Sequence, residues 1–191
     1  MKNKKVSLWV AFVCAALAMS MMIPACRDRS DDADTSSNPV GPAAGASTAS
    51  LPAGLFLATA PGESVAVKQL KAQAQVGDEV TMRVVVGGEV NVFVPGRAIV
   101  KVVDTEMENL CLKPGDSCKT PWDYCCAVAE DLQQHRATVK VVDAQGETIR
   151  ADLKGAGEIE ELKTLVVKGV VARGSDKNNL VVNAQGIYVE N

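Results

Sequence analysis

The sequence predicts an all-β domain of five strands, interrupted by one short helix and a cysteine-rich insertion, behind an export signal and a flexible linker. Three observations carry this. From about residue 65 onward, valine-rich runs alternate apolar and polar residues with the period of two that marks a half-buried strand. Glycine-containing turns separate the runs. Only one short segment in the domain, acidic and poor in β-branched residues, favours a helix. The chain of 191 residues is long enough for one core domain with appendages, and at 47% apolar it is too hydrophobic to be disordered throughout.

The chain opens on Lys2, Lys4 and Lys5, followed by an uncharged run from 6 to 22 and the end Ile23-Pro24-Ala25-Cys26. This is the charge and hydropathy pattern of an export signal. The end resembles the lipobox of bacterial lipoproteins, in which the cysteine is diacylated and becomes the new N-terminus. Ile23 and Ala25 fit that pattern, and Pro24 replaces its usual small residue. The resemblance implies a signal peptide over 1–25 and lipidation of Cys26, anchoring the chain to the extracytoplasmic face of a cell-envelope membrane. An uncleaved anchor and plain secretion are the alternatives; all three place residues 27–191 outside the cytoplasm.

Residues 26–64 read as a tether, acidic at first and then rich in Ser, Thr, Pro, Gly and Ala. Few large apolar groups are present to offset the entropy of ordering. Asp28, Asp32 and Asp34 lack the glycine and the closing glutamate of a calcium loop and are expected to be a solvated spacer. The stretch 51–60 is more apolar, suited either to docking on the domain or to ending the tether.

Within the domain, assigned to 65–191, strands are expected at 79–86, 97–104, 137–143 with an extension at 147–153, 164–173 and 180–190. The short helix is expected at 158–162, entered through Gly155 and Gly157. The carriers of the pattern are 76–81 (Val-Gly-Asp-Glu-Val-Thr), 139–143, 166–171 and 180–189. They resemble the OB-fold, of the tRNA-anticodon or helicase type. That resemblance implies a small five-stranded Greek-key barrel with a helix between the third and fourth strands. An open β-sandwich is the competing architecture.

The insertion, at about 105–135, carries Cys111, Cys118, Cys125 and Cys126. With Cys14 removed in the signal and Cys26 assigned to the lipid, an even four remain for an oxidising compartment, which points to two disulfides. Cys111 and Cys118 are each expected to pair with one of the adjacent two, since a direct 125–126 bridge closes a strained ring. The same thiolates, with His135 as a substitute, are the candidate ligands for zinc or an iron–sulfur cluster. The spacing C-x6-C-x6-C-C contains neither a C-x2-C knuckle nor a haem-attachment motif.

The formal charge of −3 excludes a strongly basic nucleic-acid binder. Loss of three lysines with the signal takes the 20 basic residues to 17 against 23 acidic, a formal −6. One histidine leaves little for general acid–base catalysis, and no nucleophile elbow, phosphate loop or His-Glu-x-x-His motif is present. The expectation is a non-enzymatic, membrane-tethered module that needs no cofactor and binds an envelope protein or a small ligand rather than nucleic acid. Trp122, Asp123 and Tyr124 in the insertion are its expected contacts. A metal-binding or thiol-redox lipoprotein, and a purely structural envelope protein, are the other readings.

Overall fold

The computed structural model describes residues 50–190. The segment expected to be an export signal, the expected lipidation site Cys26 and the expected tether up to residue 49 lie outside the described residues. Strands β1 (Glu79–Val86), β2 (Ile99–Asp104), β3 (Arg136–Lys140), β4 (Thr164–Val171) and β5 (Leu180–Val189) close into a barrel in the order β1-β2-β3-β5-β4. β3 and β5 run parallel; the other neighbouring pairs are antiparallel. The closed five-stranded barrel is compatible with an OB-like fold and excludes the open sandwich. Closure also removes the free strand edges that would template aggregation.

The alternation in sequence becomes the inside and outside of the barrel. In β1, Val80, Met82, Val84 and Val86 are buried, and the residues between them are exposed or partly covered. In β5 the inward set begins with Leu180, Val182 and Ala184, then resumes at Ile187. The change of phase has a local cause. Lys168 faces Gly186 while Gly169 faces Ala184, so Gln185 is the extra residue of a β-bulge, and Ile187 turns inward. β2 breaks the alternation differently: Val102 and Val103 are both fully buried. Val102 belongs to the barrel core, whereas Val103 packs with Met107 and Tyr124 in a second cluster. A strand with two consecutive buried valines is covered on both faces, and the insertion covers the outer one.

Among the described residues, two α-helices flank the barrel. Helix α1 (Val67–Gln73) precedes β1 and sends Val67 and Leu70 into the main core. Its N-terminus has no side-chain cap of its own. The buried carboxylate of Asp104, at the end of β2, supplies one by accepting from the Val67 N–H, and it also accepts from the Glu106 N–H at 3.0 Å. Helix α2 (Ala129–His135) leads directly into β3. Lys71 of α1 donates to the Gln133 carbonyl at 2.5 Å and to the Asn178 carbonyl at 3.3 Å. Burial, and then the nearby Arg136 charge, push the Lys71 pKa down to about 8.

The helix expected at 158–162 is a single 3-10 turn, Ala156–Glu158. Glu158 and Leu162 adopt φ of 68° and 67°, outside the right-handed helix, while Ile159 between them is fully buried. Five residues cannot recover the cost of helix nucleation, so burial of Ile159 sets the path of this segment. Among the described residues, no helix is long and apolar enough to cross a membrane.

The apolar stretch 51–60 docks on the domain. Leu55 is buried in the main core and Leu51 packs against it. The Leu57 N–H donates to the Ile187 carbonyl at 2.8 Å, and the Ile187 N–H donates to the Leu55 carbonyl at 2.7 Å. These bonds place Phe56 beside β5 as a parallel bridge, so the folded body begins inside the stretch that the sequence assigns to the tether.

Arg83 of β1 grips Glu190, just beyond β5, through Nε to Oε1 at 2.9 Å and Nη2 to Oε2 at 2.6 Å. The guanidinium holds the Glu190 carboxyl below the usual range. A carboxyl whose folded pKa lies under its unfolded value stabilises the fold above the unfolded pKa, about 4.3. That contribution fades as pH falls through the folded pKa. Both side chains are partly solvated, at 47% and 29% exposure, so the pair is worth about 0.5 kcal/mol. Arg83→Met is therefore expected to cost that amount at pH 7 and almost nothing at pH 3. Urea titrations at the two pH values check this, and an equal loss at both would remove the ion pair as the cause.

Candidate functional site

The insertion occupies the whole connection between β2 and β3, residues 105–135. Two 3-10 turns, Leu110–Leu112 and Pro121–Asp123, shape it ahead of α2. It lies against the barrel. The Gly88 N–H donates to the Trp122 carbonyl at 2.7 Å, and Trp122 Nε1 donates to the Val90 carbonyl at 3.1 Å. The Tyr124 ring lies over Gly87: a Cβ there would come within 2.7 Å of the Trp122 carbonyl oxygen and 2.9 Å of Tyr124 Cε2. Tyr124 itself is left-handed, with φ 58° and ψ 32°, and only 3% exposed. Arg136 continues the seam by pairing with Glu89 at 2.9 Å.

Of the three residues expected to contact a partner, Tyr124 is thus withdrawn into the second core cluster. Trp122 is partly covered and packs against the main core. Asp123 is used locally: its Oδ2 accepts from the Thr120 hydroxyl at 2.7 Å and its Oδ1 from the Cys125 N–H at 2.8 Å. The insertion instead exposes Leu112 and Val128, at 57% and 66%.

One local device places three of the cysteines. Asn109 Oδ1 accepts from the Cys111 N–H at 3.0 Å, Asp116 Oδ1 from the Cys118 N–H at 2.7 Å, and Asp123 Oδ1 from the Cys125 N–H at 2.8 Å. Each is an Asx turn, which fixes the backbone of the cysteine two residues on. Asn109 also joins the two arms, its Nδ2 donating to the Pro121 carbonyl at 2.8 Å. Asn109 and Asp116 were not among the residues expected from sequence. Their signal is present there, since Asx-x-Cys recurs at 109–111, 116–118 and 123–125, each seven residues after the last.

The sulfurs converge. Cys125 Sγ lies 3.2 Å from Cys118 Sγ, 3.6 Å from Cys111 Sγ and 3.8 Å from Cys126 Sγ. One ligand atom from each of Cys111, Cys118, Asp123 and Cys125 falls within 4.8 Å of the others. Cys126 and His135 stand outside that set. The Cys126 thiol faces Asp116 Oδ2 at 3.6 Å, and His135 Nδ1 lies 2.8 Å from the Asp131 carbonyl oxygen on its own helix. No S–S bond joins any two of these four sulfurs in the structure.

The thiols are not equivalent. Burial raises the Cys111 pKa, but hydrogen bonds from Cys126, Cys125 and Cys118 outweigh it and bring the value below that of an ordinary thiol. The Cys126 N–H contributes, donating to Cys111 Sγ at 3.4 Å. Cys125 is pushed up by its contacts with Cys118, Cys111 and Asp123, and Cys126 is pushed up to about 11, chiefly by Cys111. Asp123 is held low: the Thr120 hydroxyl and the Cys125 N–H overcome the opposing effect of burial. The centre therefore offers one buried acidic thiol, two neighbouring thiols and an ionised carboxylate. Such a set can close disulfides, exchange them, or hold a soft cation. No protein-family model, curated protein or solved structure matches this chain, so the site stands on its own geometry.

Proposed function

We propose that the chain is an exported lipoprotein, anchored to an envelope membrane through Cys26, that acts as a non-enzymatic binding module. The 105–135 insertion is its functional element. The observation that supports this most is the state of that insertion, a long connection held against a closed barrel by Tyr124 and Trp122, which keeps Leu112 and Val128 exposed. Recognition surfaces are commonly long connections on rigid scaffolds. The partner is an envelope protein or a small ligand. The formal −6 of the mature chain and its few aromatic side chains argue against a stacking platform for single-stranded nucleic acid.

Two experiments test this reading. Cys26→Ser is expected to move the protein from the membrane pellet to the soluble extracytoplasmic fraction. Retention in the pellet with residues 1–25 still attached would mean an uncleaved anchor. Photo-crosslinkers placed at Leu112 or Val128 in intact cells are expected to give a discrete adduct, and one at exposed Val76, in the turn between α1 and β1, none. An adduct pattern identical at all three positions, or no adduct from the insertion, would sink the binding role.

A further inference from the structure

Three thiols carried by the same Asx-x-Cys device point to one place, where a bridge between any two would leave the third beside it. We propose that Cys111, Cys118 and Cys125, with the Asp123 carboxylate closing the fourth position, bind one thiophilic d10 cation of the zinc type. This names the ligand of the insertion and rests on the binding-module reading above.

The donor set suits such an ion. Zinc takes four ligands in a tetrahedron, with Zn–S near 2.3 Å, which puts neighbouring sulfurs about 3.8 Å apart. The Cys125 sulfur lies 3.6 Å from that of Cys111 and 3.2 Å from that of Cys118, so a central ion requires these separations to open by about 0.2 and about 0.6 Å. Each Asp123 oxygen accepts one hydrogen bond and keeps a lone pair for a metal. Thr120 then acts as the outer partner that orients a ligating carboxylate. The Cys126 N–H pointing at Cys111 Sγ supplies the backbone donor that a buried thiolate needs. One side of the cluster is dry, because Cys111 and Tyr124 are both buried.

Binding exchanges three thiol protons for the cation; the protons leave to solvent and no electrons move. His135, the substitute ligand suggested by sequence, stays on α2 with Asp131 and is no part of the site. Cys126 is likewise a neighbour rather than a ligand.

The test uses the detergent-solubilised full chain, reduced and kept free of oxygen, titrated with zinc against a chromophoric chelator. Cobalt(II) serves as a spectroscopic substitute. One zinc per chain is expected, with thiolate-to-cobalt charge-transfer absorption. That absorption should weaken stepwise in Cys111→Ser, Cys118→Ser and Cys125→Ser, and remain intact in Cys126→Ser and His135→Ala. Thr120→Val is expected to lower zinc affinity by roughly 10-fold. Circular dichroism monitors the barrel, whose core contains none of these residues, so that loss of the fold is told apart from loss of a ligand. A reduced chain that takes up no zinc would overturn the proposal, as would equal loss in Cys126→Ser. Isolation as two disulfides that stay metal-free after reduction would do the same. None of these failures alters the crosslinking from Leu112 and Val128, so a failed metal site and a failed binding module are distinguishable.

Discussion

Tyr124→Ala is expected to lower the stability of the insertion by about 3 kcal/mol, the lower end of the range for truncating a buried aromatic ring. The ring is 3% exposed and fills the space between Val103 and Met107 on the outer face of β2. Removing it leaves Val103, a fully buried strand residue, facing a void. The consequence reaches the sulfurs, because Tyr124 separates Asp123 from Cys125 in the chain. With the ring gone, two of the four converging groups lose their shared anchor. Urea unfolding should show a lower midpoint, and hydrogen exchange should rise first in 105–135 while the barrel strands stay protected. Tyr124→Phe keeps the packing and is expected to cost about 1 kcal/mol or less. A Tyr124→Ala protein within about 0.5 kcal/mol of wild type would show that the insertion is not held by this ring.

Gly169→Ala is expected to damage the barrel itself. A Cβ at this position would stand 2.3 Å from the Asn183 carbonyl oxygen and 2.8 Å from Val182 Cγ1. The first obstacle is backbone in the neighbouring strand, which no rotamer change can relieve. The position is also the register shift between β4 and β5, an antiparallel seam that pairs seven residues, as many as β1–β4. Either β5 moves away, carrying the bulge at Gln185 and the inward turn of Ile187 with it, or the seam opens. Overpacking of this kind costs about 3 kcal/mol, which corresponds to a fall in melting midpoint of roughly 10 °C for a domain of this size. Lys168→Ala next to it removes only a partly solvated side chain and should stay within about 0.5 kcal/mol. A Gly169→Ala protein that melts with wild type would mean that β4 and β5 are spaced more widely than this register requires.

The five strands were legible because each has to bury one face, and burial of one face writes a period of two into the chain. Residues 79–86 were expected and found without a change of bounds. The limits of the insertion were legible for a related reason: apolar alternation stops after Asp104 and resumes at Arg136. What escaped were features whose cause lies in another element. The 3-10 turn at Ala156–Glu158 replaces a helix because Ile159 is drawn into a core assembled from distant strands. Helix α1 starts where it does because Asp104, far along the chain, caps it.

For the cysteine centre the division falls between number and arrangement. Sequence alone determined that four cysteines sit in one connection between strands, behind a segment with the pattern of an export signal. It also held the threefold Asx-x-Cys spacing, a local hydrogen-bond pattern that needs no tertiary contact. Only the tertiary structure decided that Cys111, Cys118 and Cys125 meet with Asp123, while the Cys126 sulfur stays at the margin beside Cys125 and His135 turns back to its own helix. The physical reason is that convergence depends on where the two arms of the insertion are pinned. That pinning comes from Asn109 holding Pro121 and from Gly87 leaving room for Tyr124, contacts between residues that no local pattern relates.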